Sequence, residues 1–141
     1  MVYRMQEGCL TVDDTWQDQS VNVLVPKQVG TKGVNLVVAR DTMPMGMTLA
    51  DYLSQQKTNF EKELTEYKVM ADSPGTVDQR PAHFLEFSWN NNGTPLQQMM
   101  VIVQDSDRIL SFTGTIPGNG DNDARSSLLA AMISFKFTQS V

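Results

Sequence analysis

The sequence predicts an α+β domain, a twisted and mainly antiparallel sheet with two helices packed on it. Three observations lead there. Strand-like segments recur along the 141-residue chain and are separated by short turns rather than long crossovers. Only two segments carry a helical pattern. Several strands are apolar on both faces, since alternate side chains of a strand point to opposite sides. In Gly33 to Arg40, Val34, Leu36 and Val38 share one face, and Val37 and Ala39 the other. In Leu96 to Gln104, Leu96, Met100 and Ile102 oppose Met99, Val101 and Val103. A sheet with one wet face alternates apolar with polar. Something must therefore cover the second face here, either the rest of the subunit or a partner.

Tyr3 to Met5 and Cys9 to Val12 read as short strands around Glu7-Gly8, and a polar loop with one aromatic, Trp16, follows. Ser20 to Val25 reads as a strand ended by Pro26, Gln28 to Gly33 as a turn, and Val34 to Arg40 as the returning strand. The first helix is marked by Thr48 as N-cap with Asp51 three residues on, a capping-box pattern. Leu49, Tyr52, Leu53, Phe60, Leu64 and Tyr67 then recur at helical spacing, with Gln56 on the same stripe. Lys57, Glu61, Lys62 and Glu63 fall mostly off it. The segment after Met70 reads as a polar loop through Pro74-Gly75. Ala82 to Trp89 and Leu96 to Gln104 form a hairpin about Asn92-Gly93, a pair suited to positive φ. Arg108 to Thr115 continues the meander after Asp105-Ser106-Asp107. A Gly/Asn/Asp loop from Pro117 to Asp123 leads into a second helix, Ala124 to Met132, and Ser134 to Phe137 reads as a short closing strand.

Length fits a single domain over residues 1–141. A net charge of −5 argues against a nucleic-acid surface, which requires clustered Lys and Arg. No segment approaches the roughly 20 apolar residues of a spanning helix, and the first residues lack the apolar core of a signal peptide. The single cysteine, Cys9, excludes an intrachain disulfide, and the expectation is a cytoplasmic protein without direct membrane insertion.

The residues that carry chemistry are sparse. His83 is the only histidine and sits within a strand, where a structural role is the simpler reading. One histidine and one cysteine make no Cys/His zinc site, and no Gly-x-Ser-x-Gly elbow or Gly-rich phosphate loop is present. Cys9 beside Leu10 reads as a buried thiol. Gly118 to Asp123 has its glycines in the wrong places for a calcium loop, and a helix cap explains its aspartates better. The inventory points away from an enzyme, and neither a cofactor nor a metal is expected. The unusual count is nine methionines, three of them in Met43-Pro44-Met45-Gly46-Met47, a segment that Pro and Gly mark as a loop. Flexible, polarizable methionine suits surfaces that fit variable apolar partners.

The run Trp16-Gln17-Asp18-Gln19-Ser20-Val21-Asn22-Val23, with Tyr3-Arg4 before it and Ala39-Arg40-Asp41 and Ala50-Asp51-Tyr52 after it, resembles the Eag-type chaperones of bacterial type VI secretion. These belong to the DcrB-related group with a PsbP-like fold. The resemblance implies a cytoplasmic homodimer that holds N-terminal transmembrane helices of Rhs- or PAAR-type effectors in an apolar groove before secretion. Carried onto this chain, the groove includes Val21, Val23, Val37 and Leu64. It also takes Leu96, Met100 and Ile102 from the strand after the Asn-Gly turn, and Leu110 or Phe112 from the next. Gln56 matches the family's helix glutamine. For the strand glutamine, an ungapped reading places Met100 at the position while Gln98 shares its face. The alternative reading is a small protein- or ligand-binding module of the same fold with an unrelated partner.

Overall fold

A computed structural model describes residues 1–27, 33–118 and 121–138. Strands β1 (Val2–Arg4) and β2 (Cys9–Thr11) pair only with each other. The main sheet contains β3 (Asn22–Leu24), β4 (Asn35–Thr42), β5 (Lys68–Val77), β6 (Arg80–Asn91), β7 (Thr94–Asp105) and β8 (Arg108–Pro117). Its order is β3-β4-β8-β7-β6-β5, and every neighbouring pair is antiparallel. Helices α1 (Leu49–Glu63) and α2 (Asn122–Ile133) complete the chain. The expected α+β architecture is thus observed.

The two helices lie on opposite faces, which answers the question raised by the two-sided strands. On one face Leu36, Met99, Val101, Val103, Phe112 and Ile116 pack with Leu128 and Met132 of α2. On the other, Leu85, Phe87, Met100, Ile102 and Ile109 pack with Tyr52 and Leu53 of α1 and with Met43. Adjacent residues Met99 and Met100 therefore belong to different cores. Gly114 allows α2 to settle on β8, since a Cβ there would lie 2.9 Å from Met132 Cε and 3.0 Å from Leu128 Cδ1.

Helix α1 starts as its sequence dictates. Thr48 Oγ1 accepts from the Asp51 amide at 3.2 Å, and the Asp51 carboxylate accepts from the Thr48 amide at 3.1 Å. The helix stops at Leu64, so Tyr67 reaches the core from the loop beyond it. The Asn92-Gly93 turn has both residues at positive φ, 53° and 92°.

Several expectations are corrected. Residues 68–77 form the edge strand β5, not a polar loop. An edge strand needs partners on one side only and tolerates Pro, Gly and polar residues. Its hairpin turn also lacks glycine, because Asp78 and Gln79 supply the positive φ values. Residues 134–137 form no strand; Phe135 and Phe137 instead pack edge to face beside the α2-side core. Cys9 is exposed, because β2 has no layer over it. The turn expected at Gln28 to Gly33 falls, up to residue 32, outside the described residues. Within the methionine segment, Met43 is core while Met45 is fully exposed.

Two polar clusters fasten the layers. Glu86, 7% exposed, receives Arg125 Nε at 2.7 Å and Nη2 at 2.9 Å, with Gln97 Nε2 at 2.5 Å. This ties the first turns of α2 to β6 and β7. On the other face Asp72 of β5 accepts from Lys57 of α1 at 2.5 Å and is hydrogen-bonded to His83 of β6. The Lys57 ammonium, and then His83, hold the Asp72 carboxyl below its ordinary range. One buried hydroxyl, that of Tyr67, has no partner among the described residues. An unmet buried donor costs about 1–3 kcal/mol. Tyr67→Phe keeps the ring contacts with Phe60 and Phe87 and removes that cost. It is expected to raise stability by about 1 kcal/mol in urea titration.

Candidate functional site

Residues opposed in register share a face, so each cross-strand row can be followed across the sheet. One row on the α1 side runs Val23, Val37, Thr113, Met100, Leu85. Its neighbours run Asn35, Thr115, Gln98, Phe87 and Ala39, Ser111, Ile102, His83. The α1-side core draws on β6, β7 and Ile109 at the start of β8, but on no residue of β3 or β4. Helix α1 therefore packs over β6, β7 and the start of β8 and touches β4 through the Tyr52–Asp41 hydrogen bond, while Val37, Ala39, Thr113 and Thr115 stay half-exposed and Val23 is 61% exposed. This more open strip is floored by Val23, Val37, Ala39 and, on β8, Ser111, Thr113 and Thr115.

The candidate residues divide accordingly. Val21 and Val23 are 55% and 61% exposed at the outer margin of the strip. Val37 is half-buried on its floor, and Leu96 half-buried at its end. Gln56 is half-buried on α1. Met100 and Ile102 share the face but are buried beneath α1, and Leu64 packs against that same core. Leu110 and Phe112 are on the opposite face, Leu110 half-buried against the α2-side core and Phe112 buried within it. On the α1 side β8 instead presents Ser111, Thr113 and Thr115. Sequence reasoning missed this hydroxyl stripe because it looked for apolar residues. The signal available was the strict period of two counted from the turn at Asp105 to Arg108.

Gln98 lies within the strip's polar border and is already engaged. Its Oε1 accepts from Trp89 Nε1 at 2.7 Å, and its Nε2 donates to Thr115 Oγ1 at 2.9 Å. One N–H and one lone pair remain to it. Near the first turn of α1, Tyr52 donates to Asp41 at 3.2 Å, and burial followed by the Asp41 charge pushes the Tyr52 hydroxyl up. His83 is spent on Asp72, and no group of three His, Cys, Asp or Glu among the described residues is placed to hold a metal. No helix among the described residues is long and apolar enough to cross a membrane.

A six-stranded antiparallel sheet with one helix on each face, part of one face left more open, defines a small α+β class. The DcrB family model matches residues 7–134, and the chain belongs to that family. Effector EagT6 of Pseudomonas aeruginosa is 29% identical over 115 residues, which cover 81% of this chain and 80% of that protein. The Eag-type likeness seen in the sequence is thereby supported. A Pseudomonas aeruginosa protein of unknown function, PA94, superposes with a TM-score of 0.83 at 25% identity, covering 99% of this chain and 98% of that one. CyanoP, the PsbP protein of Synechocystis, matches with a TM-score of 0.60 at 11% identity over 84% of this chain and 82% of its own. That identity shows the fold alone, and the fold is PsbP-like.

Proposed function

We propose that this chain is a non-enzymatic cytoplasmic chaperone or adaptor for a type VI secretion effector. In this reading it works as a homodimer and shields the effector's N-terminal transmembrane helices in the strip beside α1. The observation that carries the reading is the partly covered α1 face. Strands lie about 4.8 Å apart, so β3, β4 and the open part of β8 make a strip on the order of 10–15 Å wide. An α-helix with its side chains is about 10–12 Å across. One helix fits beside α1 and completes the layer.

The chemistry of the strip suits such an occupant. Val21, Val23, Val37 and Leu96 offer apolar contact without a fixed pattern. Burying on the order of 1,000 Å² of a transmembrane helix recovers about 25 kcal/mol gross at ~25 cal/mol per Å². Most is offset by lost freedom and side-chain ordering, and the remainder is enough for tight capture. The hydroxyls of Ser111, Thr113 and Thr115, with Gln56 and the residual capacity of Gln98, offer hydrogen bonds to small or polar positions of a membrane helix. The net charge of −5 favours a soluble loaded complex.

The test is capture of a fluorescent apolar helical peptide of about 20 residues, in parallel with recovery of bound proteins from the native cell. The expected result is a soluble one-to-one complex per chain and partners with N-terminal apolar segments. Recovered partners without such segments would favour the unrelated-partner reading.

A further inference from the structure

We propose that the α2 face carries a separate small-molecule site, a trough between α2 and strands β5 and β6 that takes a linear aliphatic carboxylate of about eight to ten carbons with its head on Arg125. It does not depend on the client strip, which lies on the other face of the sheet. Helix α2 settles on β8, where Gly114 lets Leu128 and Met132 approach. That leaves a cavity of about 330 Å³ on the other side of the helix, above β7, β6 and β5. Small-molecule sites span about 300–1,000 Å³, so this one suits a small ligand.

The sequence makes the hollow. On this face β5 presents Ala71 and Ser73, opposite Glu86 and Phe84 of β6, and these two small side chains leave the space beside the helix unfilled. Leu129 and Ile133, one and two turns after Arg125, form the helical wall. Ile133 is 52% exposed, and among the described residues it is the one large apolar side chain of a helix left so open. Arg125 to Ile133 is eight residues of helix, about 12 Å at ~1.5 Å per residue, the length of an extended chain of about eight to ten carbons.

The wall changes character at Arg125. The two buried polar side chains among the described residues, Glu86 and Gln97, meet at this end. Glu86 accepts from Arg125 Nε and Nη2, the side edge of the guanidinium. The end edge, one N–H of Nη1 beside the second N–H of Nη2, has no partner among the described residues, and the Arg125 side chain is 40% exposed. Two parallel N–H groups are the fork that a carboxylate accepts in bidentate fashion. Glu86 thus fixes the guanidinium by one edge and leaves the other presented to a ligand. A pair that served only as a fastening would be replaceable by apolar side chains of similar volume, whereas a head-group site requires the arginine.

Isothermal titration calorimetry with submicellar sodium decanoate tests this, with methyl NMR spectra of the same samples. Saturable binding of one decanoate per chain is expected, moving the methyl signals of Met99, Leu129 and Ile133 and leaving those of Val23 and Val37 in place. Ser73→Leu fills the trough from the exposed edge strand and should weaken binding at least tenfold with an unchanged circular dichroism spectrum. Arg125→Lys keeps the charge but loses the fork, and should weaken binding to a similar degree. Methyl decanoate, the stand-in for an esterified acyl chain, should bind the wild-type chain at least tenfold less tightly than decanoate. No binding, binding that moves only the Val23 and Val37 signals, or affinity undiminished in a folded Ser73→Leu chain overturns the site while leaving the chaperone reading intact. Equal affinity for decanoate and its methyl ester overturns the assignment of Arg125 to a carboxylate head.

Discussion

Val21→Asp combined with Val23→Asp is expected to weaken capture of the apolar peptide by a hundredfold or more, measured by fluorescence anisotropy. Both side chains are more than half exposed in the free chain, so the substitutions remove little of the folded core. In the complex each new carboxylate would lie against hydrocarbon, and an unpaired charge there costs well over the ~1.4 kcal/mol that makes a tenfold change. Two such costs give the predicted loss. The melting temperature should move by no more than about 3 °C. Undiminished capture by the folded double variant would refute the strip as the binding site. Phe112→Ala supplies the contrast. That ring is buried on the other face against Phe135, so its truncation should lower stability by about 3–5 kcal/mol. Any material still folded should keep its affinity.

Arg125→Ala carries the second large effect, here on stability. It leaves the Glu86 carboxylate buried with only Gln97 as a neighbour donor. Breaking a buried pair by removing one partner costs about 3–5 kcal/mol. Arg125 is partly exposed, so roughly 2–4 kcal/mol is expected by urea unfolding at pH 7. Replacing both residues, as Glu86→Leu with Arg125→Leu, should recover most of that loss, because no stranded charge remains. The pH dependence follows from the same pair. Arg125 holds the Glu86 carboxyl below its ordinary range, against the opposing effect of burial. A carboxyl with a lowered folded pKa stabilises fully above its unfolded value near 4.3, and loses that contribution as pH falls through the folded value. Stability of the wild-type chain should therefore drop below about pH 4.5, and Arg125→Ala should flatten that acid limb. An equal acid slope in both proteins would show that the pair contributes nothing to it.

Much of the fold was legible because local chemistry and tertiary packing agree. Thr48 and Asp51 cap α1 as their spacing demands, and Asn92-Gly93 turns β6 into β7 with the φ values that pair adopts easily. The shared face of Leu96, Gln98, Met100 and Ile102 also follows from period two alone. What was illegible is what the sheet decides globally. A strand apolar on both sides does not say which side meets which helix, so Leu110 and Phe112 were placed with the groove although they face α2, while Ile109, Ser111, Thr113 and Thr115 share the α1 side. Likewise Met100 and Ile102 share a face with Val37, but only the path of α1 separates the covered part from the more open strip. Strand β5 was hidden because an outer strand may carry Ser73-Pro74-Gly75 without loss of its single ladder.

Strand β7 acts as a party wall. Met99 leans into one chamber and Met100 into the other, with a single peptide bond between them. Because both chambers are packed against this one strand, a displacement of β7 on the α1 side would be expected to press on Leu128 and Met132 on the far side. The methyl group of Met132, wedged over Gly114, is thus a natural reporter for events in a compartment it never touches.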